Sequence, residues 1–274
     1  MHYAIYKPTG KCFAIKSIKL FEKSKREQFK NDLEILSSNK CKNIITFYGA
    51  FFIEGYAKLI LEYMNLGSLD KILKIIKNKK IKPPCIPENI LSKIAKEILS
   101  GLYYLHKEKH QIHRDIKPSN VLINTDGIVK LTDFGISCSL ESSQNFSNTF
   151  VGSRYYMSPE RITGNKYNYS SDIWSLGLVI YELATGDEPY KNKNDFITIM
   201  QKIMEDSEPR LNSNFFSKEF CDFIEKTLKK EPEKRDSIDQ LLKHEWIIKY
   251  DNGNDNNSTI SEWLAQFYDI SYSK

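Results

Sequence analysis

Residues 113–120 read HRDIKPSN, and thirteen residues after Asn120 the chain reads DFG at residues 133–135. Two short apolar runs lie between these motifs, VLI at residues 121–123 and VKL at residues 129–131, and the turn signal NTDG separates them. Either motif alone is a weak signal, because three-residue motifs occur by chance in many proteins. Both motifs in this order, around a predicted hairpin, indicate one shared catalytic site.

The residue types in these motifs suit the transfer of a phosphoryl group, which depends on positioning and charge neutralisation. Asp115 is the candidate carboxylate that accepts or orients the proton of an acceptor hydroxyl. Lys117, two residues further on, can neutralise a γ-phosphate. Asn120 and Asp133 offer the oxygen ligands that Mg²⁺ prefers. The sequence therefore predicts a catalytic pair, Asp115 and Lys117, beside a two-ligand magnesium site.

A lysine near the start of the chain is the candidate cation for the α- and β-phosphates of a nucleotide. Lys16 belongs to a strand-like apolar run at residues 13–18, preceded by a Pro-Thr-Gly turn. A lone strand lysine is more often simply solvated, so its role requires an acidic partner. Asp32 and Glu34 both qualify, since they lie on a segment with helical spacing at about residues 25–36.

Composition excludes several other classes of protein. The 274 residues are 41% hydrophobic and 27% charged with a net charge of +5, which is ordinary for a globular protein and too weakly basic to indicate a nucleic-acid partner. The basic run at residues 74–82 reads as a solvated helix end. Five scattered cysteines predict neither a disulfide framework nor a zinc site. No apolar run reaches the ~20 residues of a membrane span, so a cytoplasmic and possibly nuclear protein is expected.

The order of predicted elements indicates an α+β protein with two lobes. Residues 1–65 read as a small antiparallel β lobe with one helix, including strands at residues 44–52 and 57–62 around a Glu54–Gly55 turn. Residues 66–250 read as a larger, mainly helical lobe, with a helix opening at Pro87 and one buried all round at residues 172–184.

Residues 251–274 read as a polar linker followed by a short helix. The stretch DNGNDNNS at residues 251–258 has the composition of a linker. Thr259 and Glu262 form a capping-box signal for the start of a last helix that carries Trp263 and Phe267. We expect this amphipathic helix to pack on the large lobe.

Further stretches carry a family resemblance. Residues 133–137 (DFGIS), 150–161 (FVGSRYYMSPER) and 171–177 (SDIWSLG) resemble the MAP kinase kinases, and residues 47–51 (FYGAF) and 67–70 (GSLD) are similar to that group too. The resemblance covers about residues 3–248. It implies a bilobal protein kinase fold, ATP and Mg²⁺ as cofactors, and phosphorylation of Thr and Tyr in the activation loop of a MAP kinase. It also implies an upstream MAP kinase kinase kinase, no nucleic-acid or membrane partner, and a monomer.

The resemblance also implies which residues bind the nucleotide and which have structural roles. Residues 62–64 would be the hinge whose backbone binds adenine, Asp32 would be the partner of Lys16 ahead of Glu34, and Leu61 would gate the pocket behind adenine. A buried Glu160–Arg235 pair and an anchor for the catalytic loop at Asp172 are also implied. The implied nucleotide site consists of Lys16, Asp32, Leu61, Glu62, Met64, Ser68, Ser119, Asn120, Leu122 and Asp133.

The resemblance places an activation loop at residues 139–150. Thr149 falls on one family phosphosite, whereas the other falls on Asn145, which cannot be phosphorylated. Ser143 or Ser147 is therefore the candidate second site. A phosphate there would add about −1.5 to −2 charge and could order the loop against a basic side chain such as Arg114.

The glycine-rich loop of protein kinases is the main departure from the family pattern. A G-x-G-x-x-G-x-V motif is expected about fifteen to twenty residues before the strand lysine, and the fifteen residues before Lys16 do not contain it. The first family strand and this loop are thus expected to be missing, through a late start or a true loss. Two alternatives to an active dual-specificity kinase remain: a pseudokinase or scaffold, and a plain Ser/Thr kinase of an upstream cascade group.

Overall fold

The structure is a computed structural model that describes residues 1–19, 29, 33–34, 36–79, 85–133, 155–164, 168–190, 196–251 and 256–267. Its first sheet has four antiparallel strands in the order β1-β2-β4-β3. The strands are β1 (His2–Tyr6), β2 (Lys11–Lys19), β3 (Phe47–Ile53) and β4 (Tyr56–Glu62). Central β4 alternates half-buried and buried side chains, as expected for a strand with one face on a core, and β2 buries Ala14 and Ile18.

Local turn chemistry sets the register of this sheet. The two-residue connection between β3 and β4 is Glu54–Gly55, and both residues have positive φ (50° and 78°). That conformation is typical of the type I′ hairpin turn, whose second position glycine fills without a steric cost. The predicted turn at Glu54–Gly55 is thereby confirmed. Phe29 and Leu36, which are helical and buried, come from the segment that precedes β3.

The second sheet links the two lobes. Strands β5 (Gly67–Ser68), β6 (Val121–Ile123) and β7 (Val129–Leu131) form it in that order. An isolated bridge joins Ile44 to Leu131, and the Ile45 N–H donates to the Leu131 carbonyl at 2.9 Å. The strands predicted at residues 121–123 and 129–131 are confirmed at both bounds, and this sheet carries the chain from the hairpin directly into Asp133.

Helices dominate the rest of the described chain, as the sequence predicted. The helix at Tyr169–Thr185, α4, is its centre, because Trp174, Leu176 and Ile180 are fully buried. A Cβ on Gly177 of the same helix would lie 2.4 Å from Thr227 Oγ1, so two helices approach each other closely there. The helices are α1 (Leu69–Asn78), α2 (Glu88–Tyr103), α3 (Pro159–Ile162), α4 (Tyr169–Thr185), α5 (Phe196–Glu205), α6 (Lys218–Thr227), α7 (Ile238–Leu242), α8 (Glu245–Lys249) and α9 (Asn256–Leu264).

Three local predictions were wrong in their bounds. Helix α9 begins by Asn256, so Thr259 is inside the helix and is not its cap. Residues 256–258, predicted as linker, are the first turn of that helix, because packing on the large lobe outweighs the low helix propensity of Asn and Ser. The strand predicted from residue 44 begins at Phe47, since Ile44 pairs with the second sheet instead. Among the described residues, no helix has the length and apolar character required to cross a membrane.

Candidate active site

An ion pair joins the two lobes at the centre of the cleft. Lys16 lies in the middle of β2, and its Nζ atom is 2.6 Å from Asp133 Oδ1. Asp133 follows β7 and has a φ of +65°, a strained conformation for a residue with a side chain. Strain of this kind persists only where the surrounding structure enforces it. The sequence-predicted cation and one predicted metal ligand are therefore brought together.

The predicted catalytic residues form one cluster in the loop between His113 and β6. Lys117 Nζ lies 2.7 Å from Asp115 Oδ2. The Asn120 amide donates to the carbonyl and to Oδ2 of Asp115, at 2.7 and 2.8 Å. Because its nitrogen is used in this way, the Asn120 side chain has a fixed orientation with its oxygen available for a cation. A charged carboxylate held by two donors is preorganised for work on a hydroxyl.

A buried aspartate from α4 anchors the loop that carries this cluster. Asp172 accepts hydrogen bonds from the backbone N–H groups of His113 and Arg114 (2.8 and 2.9 Å) and from His106 Nε2 (2.8 Å). Burial alone would raise the pKa of Asp172, but these donors and the neighbouring histidines outweigh it and lower the pKa. Arg114 has a φ of +73°, a strained backbone conformation that the hydrogen bond to Asp172 helps to hold. The expected anchoring role of Asp172 is confirmed.

His113 supports the loop as a neutral ring. Its Nε2 lies 3.1 Å from the Thr132 carbonyl and donates to it, and its Nδ1 accepts from the Asp115 N–H at 3.3 Å. Complete burial lowers the pKa of His113, which favours the uncharged form with one donor and one acceptor. The ring thereby ties the backbone of Asp115 to the residue that precedes Asp133.

A cavity of about 380 Å³ opens between the lobes beside these residues. Its volume lies within the range of small-molecule sites, and more of its wall is apolar than polar. The predicted nucleotide-site residues in its lining are Leu61, Glu62, Met64, Ser68, Ser119, Leu122 and Asp133. The carboxylate of Glu62 is held at the rear by Lys130 (2.7 Å) and Thr46, so only the backbone of Glu62 faces a ligand.

Sequence reasoning missed several residues of this lining. Asn65 and Lys71 line it after the hinge, and the chain start at residues 1–3 lines it as well. The other missed lining residues include Ala14, Ile45 and Thr132. Lys71 lies in the first turn of α1, three residues after the N-cap residue Ser68, a helical spacing that could have been recognised.

A second cavity, of about 590 Å³, lies in front of the catalytic loop. Lys117 and Ser119 border it, and Tyr155 and Tyr156 line it from the segment before α3. The Tyr156 hydroxyl donates to Glu182, and burial raises the pKa of Glu182. An open groove that reaches Lys117 has the place and size to receive a segment of polypeptide.

Glu160 and Arg235 form the expected buried pair. Two parallel hydrogen bonds of 2.8 Å join the guanidinium to the carboxylate. The Arg235 side chain has no exposed surface in the pair, and it also lies 5.1 Å from the Trp174 ring. The pair joins α3, the element next to the second cavity, to the segment that precedes α7.

The donor set fits one kind of metal. Asn120 and Asp133 supply oxygen ligands, and Mg²⁺ is commonly bound by one or two carboxylates together with substrate phosphates. In the described parts of the chain no group of three His, Cys, Asp or Glu side chains could hold a metal. A cation that takes its remaining ligands from a nucleotide and water matches this arrangement.

Several predicted residues lie outside the described part of the chain. They are Asp32, Phe134, Gly135 and the predicted phosphosites Ser143, Ser147 and Thr149. Glu34, the alternative partner of Lys16, is described and has an exposed side chain. The choice between Asp32 and Glu34 and the phosphosites stay predictions.

Comparison with known proteins finds similarity to protein kinases over most of the chain. The family profile described as "Protein kinase domain" matches residues 2–247. Mitogen-activated protein kinase kinase 2 of Arabidopsis thaliana is 45% identical over 253 residues, which cover 90% of this chain and 68% of the relative.

Two other relatives agree. Mitogen-activated protein kinase kinase 3 of the same plant is 44% identical over 90% of this chain and 47% of its own length. The dual specificity mitogen-activated protein kinase kinase dSOR1 of Drosophila melanogaster is 37% identical over 89% of this chain and 65% of its own length. The chain thus spans about half to two thirds of the length of these proteins.

Proposed function

The chain belongs to the protein kinase family and to its MAP kinase kinase branch, and we propose that it transfers the γ-phosphate of ATP to a Thr and a Tyr in the activation loop of a MAP kinase. The observation that carries this proposal is that Lys16 of the small lobe is paired with Asp133, while Lys117 and Asn120 hold Asp115 in the large lobe. These are the side-chain types that phosphoryl transfer requires: a cation for the phosphates, oxygen ligands for Mg²⁺ and a carboxylate for the acceptor hydroxyl.

Asp115 is the proposed acceptor of the substrate proton. Its Oδ2 is held by Lys117 and Asn120, so its carboxylate cannot swing away from an incoming hydroxyl. Lys117 lies where it can neutralise the transferred group as well as Asp115. Preorganised charges of this kind lower the barrier because they do not have to reorganise during the reaction.

ATP is proposed to bind in the 380 Å³ cavity. The backbone at residues 62–64 faces the adenine, and Lys16 pairs with the α- and β-phosphates. Asn120 and Asp133 would hold Mg²⁺, which supplies charge neutralisation between the phosphates when bound. Ser68 and Ser119 line the same cavity at the side where a ribose would lie.

The substrate class follows from the relatives and is supported by the groove at the second cavity. The Drosophila relative is described as a dual specificity enzyme, and this chain shares 37% of its residues over the aligned region. Activation by an upstream MAP kinase kinase kinase, through Thr149 with Ser143 or Ser147, belongs to the same proposal. A monomeric, cytoplasmic protein remains the expected form.

A scaffold without catalytic turnover is the second candidate. The contacts of Lys16 and Asp115 argue against it. A binding module has no need to keep Lys16 within 2.6 Å of Asp133 while Asn120 and Lys117 both hold Asp115. An upstream-type Ser/Thr kinase would share these residues and differ only in the products it makes.

Substitution of Lys16 by Met separates an enzyme from a scaffold. Loss of a charged donor to a phosphate is expected to weaken ATP–Mg²⁺ binding roughly 10- to 100-fold, since such hydrogen bonds contribute about 1.5–3 kcal/mol. Isothermal calorimetry of the wild type and of K16M measures this directly. Lys58→Met, on the neighbouring strand β4, is the matched control, because Lys58 Nζ bonds to Ser17, which does not line the cavity, whereas Lys16 Nζ bonds to Asp133, which does.

Transfer of phosphate completes the test. Wild-type protein with ATP–Mg²⁺ is expected to label a catalytically inactive MAP kinase, and K16M is not. Absence of both nucleotide binding and labelling in the wild type would contradict the enzyme and favour the scaffold.

A further inference from the structure

The C-terminal helix α9 packs tightly on the large lobe. Ile260 and Leu264 have no exposed surface, and Trp263 is 6% exposed. Their side chains share the inward face of the helix, at the i, i+3 and i+4 spacing of an amphipathic segment. The apolar face of α9 is therefore already used within this chain.

The polar contacts of α9 are made with the turn between β6 and β7. Ser261 Oγ donates to the Thr125 carbonyl at 2.6 Å. Gly127 of the same turn has a φ of +76°, and a Cβ there would lie 2.0 Å from the Asn257 carbonyl oxygen. Any larger residue than glycine would push the helix away, so the backbones of the turn and of α9 are in direct contact.

The β6–β7 turn also holds Asn65, a residue that lines the nucleotide cavity. The Thr125 N–H donates to Asn65 Oδ1 at 2.9 Å, and Asn65 Nδ2 donates to Thr125 Oγ1 at 3.0 Å. The two ends of the Asn65 amide are thus fixed by one residue. Asn65 directly follows Met64 and lines the 380 Å³ cavity, and the Gly67 N–H bonds to the Met64 carbonyl at 3.0 Å.

The end of the described tail also contacts the residue that follows α1. Lys79, directly after α1, has its Nζ 3.5 Å from the Gln266 carbonyl and 5.1 Å from the centre of the Phe267 ring. Helix α1 begins one residue after Ser68, which lines the cavity. The tail therefore contacts the β6–β7 turn, which holds Asn65 of the cavity wall, and the residue that follows α1, the helix whose first turn carries the lining residue Lys71.

We propose that α9 positions the hinge-side rim of the nucleotide cavity, with Ser261 and Thr125 as positioning residues that act through Asn65. The inference rests on the proposed binding of ATP in this cavity. If the rim has a looser conformation that does not bind nucleotide, the apparent affinity falls in proportion to the fraction of binding-competent molecules. Contacts from α9 raise that fraction without touching the nucleotide.

The test uses the full chain and equilibrium binding of ADP–Mg²⁺, measured by calorimetry. Ser261→Ala and Thr125→Val each remove one hydroxyl of the network, and each is expected to weaken binding roughly two- to fivefold, the worth of one neutral hydrogen bond. Ser261→Thr and Thr125→Ser keep the hydroxyl and are expected to bind like the wild type. Glu262→Gln, an exposed neighbour on α9, is the control for an unrelated change of the helix.

A double-mutant cycle tests whether Ser261 acts through Asn65. If it does, Ser261→Ala adds little to the loss that Asn65→Ala causes alone, because linked residues are not additive. Equal and additive losses would contradict the proposed route. Hydrogen exchange of residues 64–67 in the nucleotide-free protein is expected to be faster in S261A than in E262Q.

A purely structural helix gives a different pattern of results. If S261A and T125V lower the melting temperature while their ADP affinity and their exchange at residues 64–67 match the wild type, the inference is overturned. Failure of the wild type to bind any nucleotide would count against the proposed function, whereas the exchange comparison would still decide whether α9 positions the rim.

Discussion

Replacement of Asp115 by Asn is expected to lower kcat for phosphoryl transfer roughly 10²- to 10⁴-fold, the usual contribution of a positioned general base. Asn has the shape of Asp, and Lys117 and the Asn120 amide remain as neighbours, so the loop is expected to keep its conformation. The affinity for ATP–Mg²⁺ should stay within about threefold, because Asp115 faces the acceptor and is not among the residues that line the nucleotide cavity.

Two measurements separate a loss of catalysis in D115N from a loss of ATP binding. Calorimetric titration with ATP–Mg²⁺ shows whether binding survives in D115N, and steady-state labelling of an inactive MAP kinase gives kcat. Asp206→Asn, at an exposed position after α5 that lines neither of the two cavities, is a matched Asp-to-Asn control and is expected to retain full activity. Labelling by D115N at the wild-type rate would show that Asp115 is not the proton acceptor.

Replacement of Glu160 by Gln is expected to destabilise the fold by about 3–5 kcal/mol, because it leaves the Arg235 charge buried without its counter-ion. The remaining hydrogen bonds of Arg235, to the carbonyls of Lys229, Lys230 and Ser170, cannot neutralise it. Thermal unfolding at pH 7 measures the change. Glu231→Gln, in the exposed pair with Lys234, is the control and should leave the melting temperature nearly unchanged.

The same pair predicts a pH dependence. Burial would raise the pKa of Glu160, but the hydrogen bonds and charge of Arg235 and the bond from Ser171 outweigh it, so the pKa is lowered in the folded state. A lowered carboxylate pKa adds stability that is complete above the unfolded value of about 4.3 and is lost as the pH falls through the folded value. The difference between wild type and E160Q should therefore be constant from pH 6 to 8 and shrink below about pH 4. A difference that grows on acidification would contradict this account.

The catalytic centre could be predicted because its chemistry is local in sequence. Asp115, Lys117 and Asn120 fall within six residues, so a single loop conformation brings them together, and the hairpin at residues 121–131 delivers Asp133. The period-2 and helical patterns likewise predicted the order of elements. Structure that depends on interactions between residues close in the chain can be predicted from a single sequence.

Contacts between distant segments could not be predicted in the same way. Nothing near Glu62 indicates that its carboxylate turns to Lys130, 68 residues away, and leaves only its backbone for a ligand. Asn65 gains its place in the cavity wall through Thr125, 60 residues further on. The start of α9 was missed because burial of Ile260 and Leu264 extends the helix through residues of poor propensity.

The most direct test of the account is phosphosite mapping on a catalytically inactive MAP kinase after incubation with this protein and ATP–Mg²⁺. Mass spectrometry of the activation-loop peptide should find phosphate on both the Thr and the Tyr of the wild-type reaction, and on neither with D115N. Phosphate on Thr alone would contradict dual specificity and indicate a plain Ser/Thr kinase. An unmodified peptide from wild-type protein that binds ATP would contradict the proposed substrate.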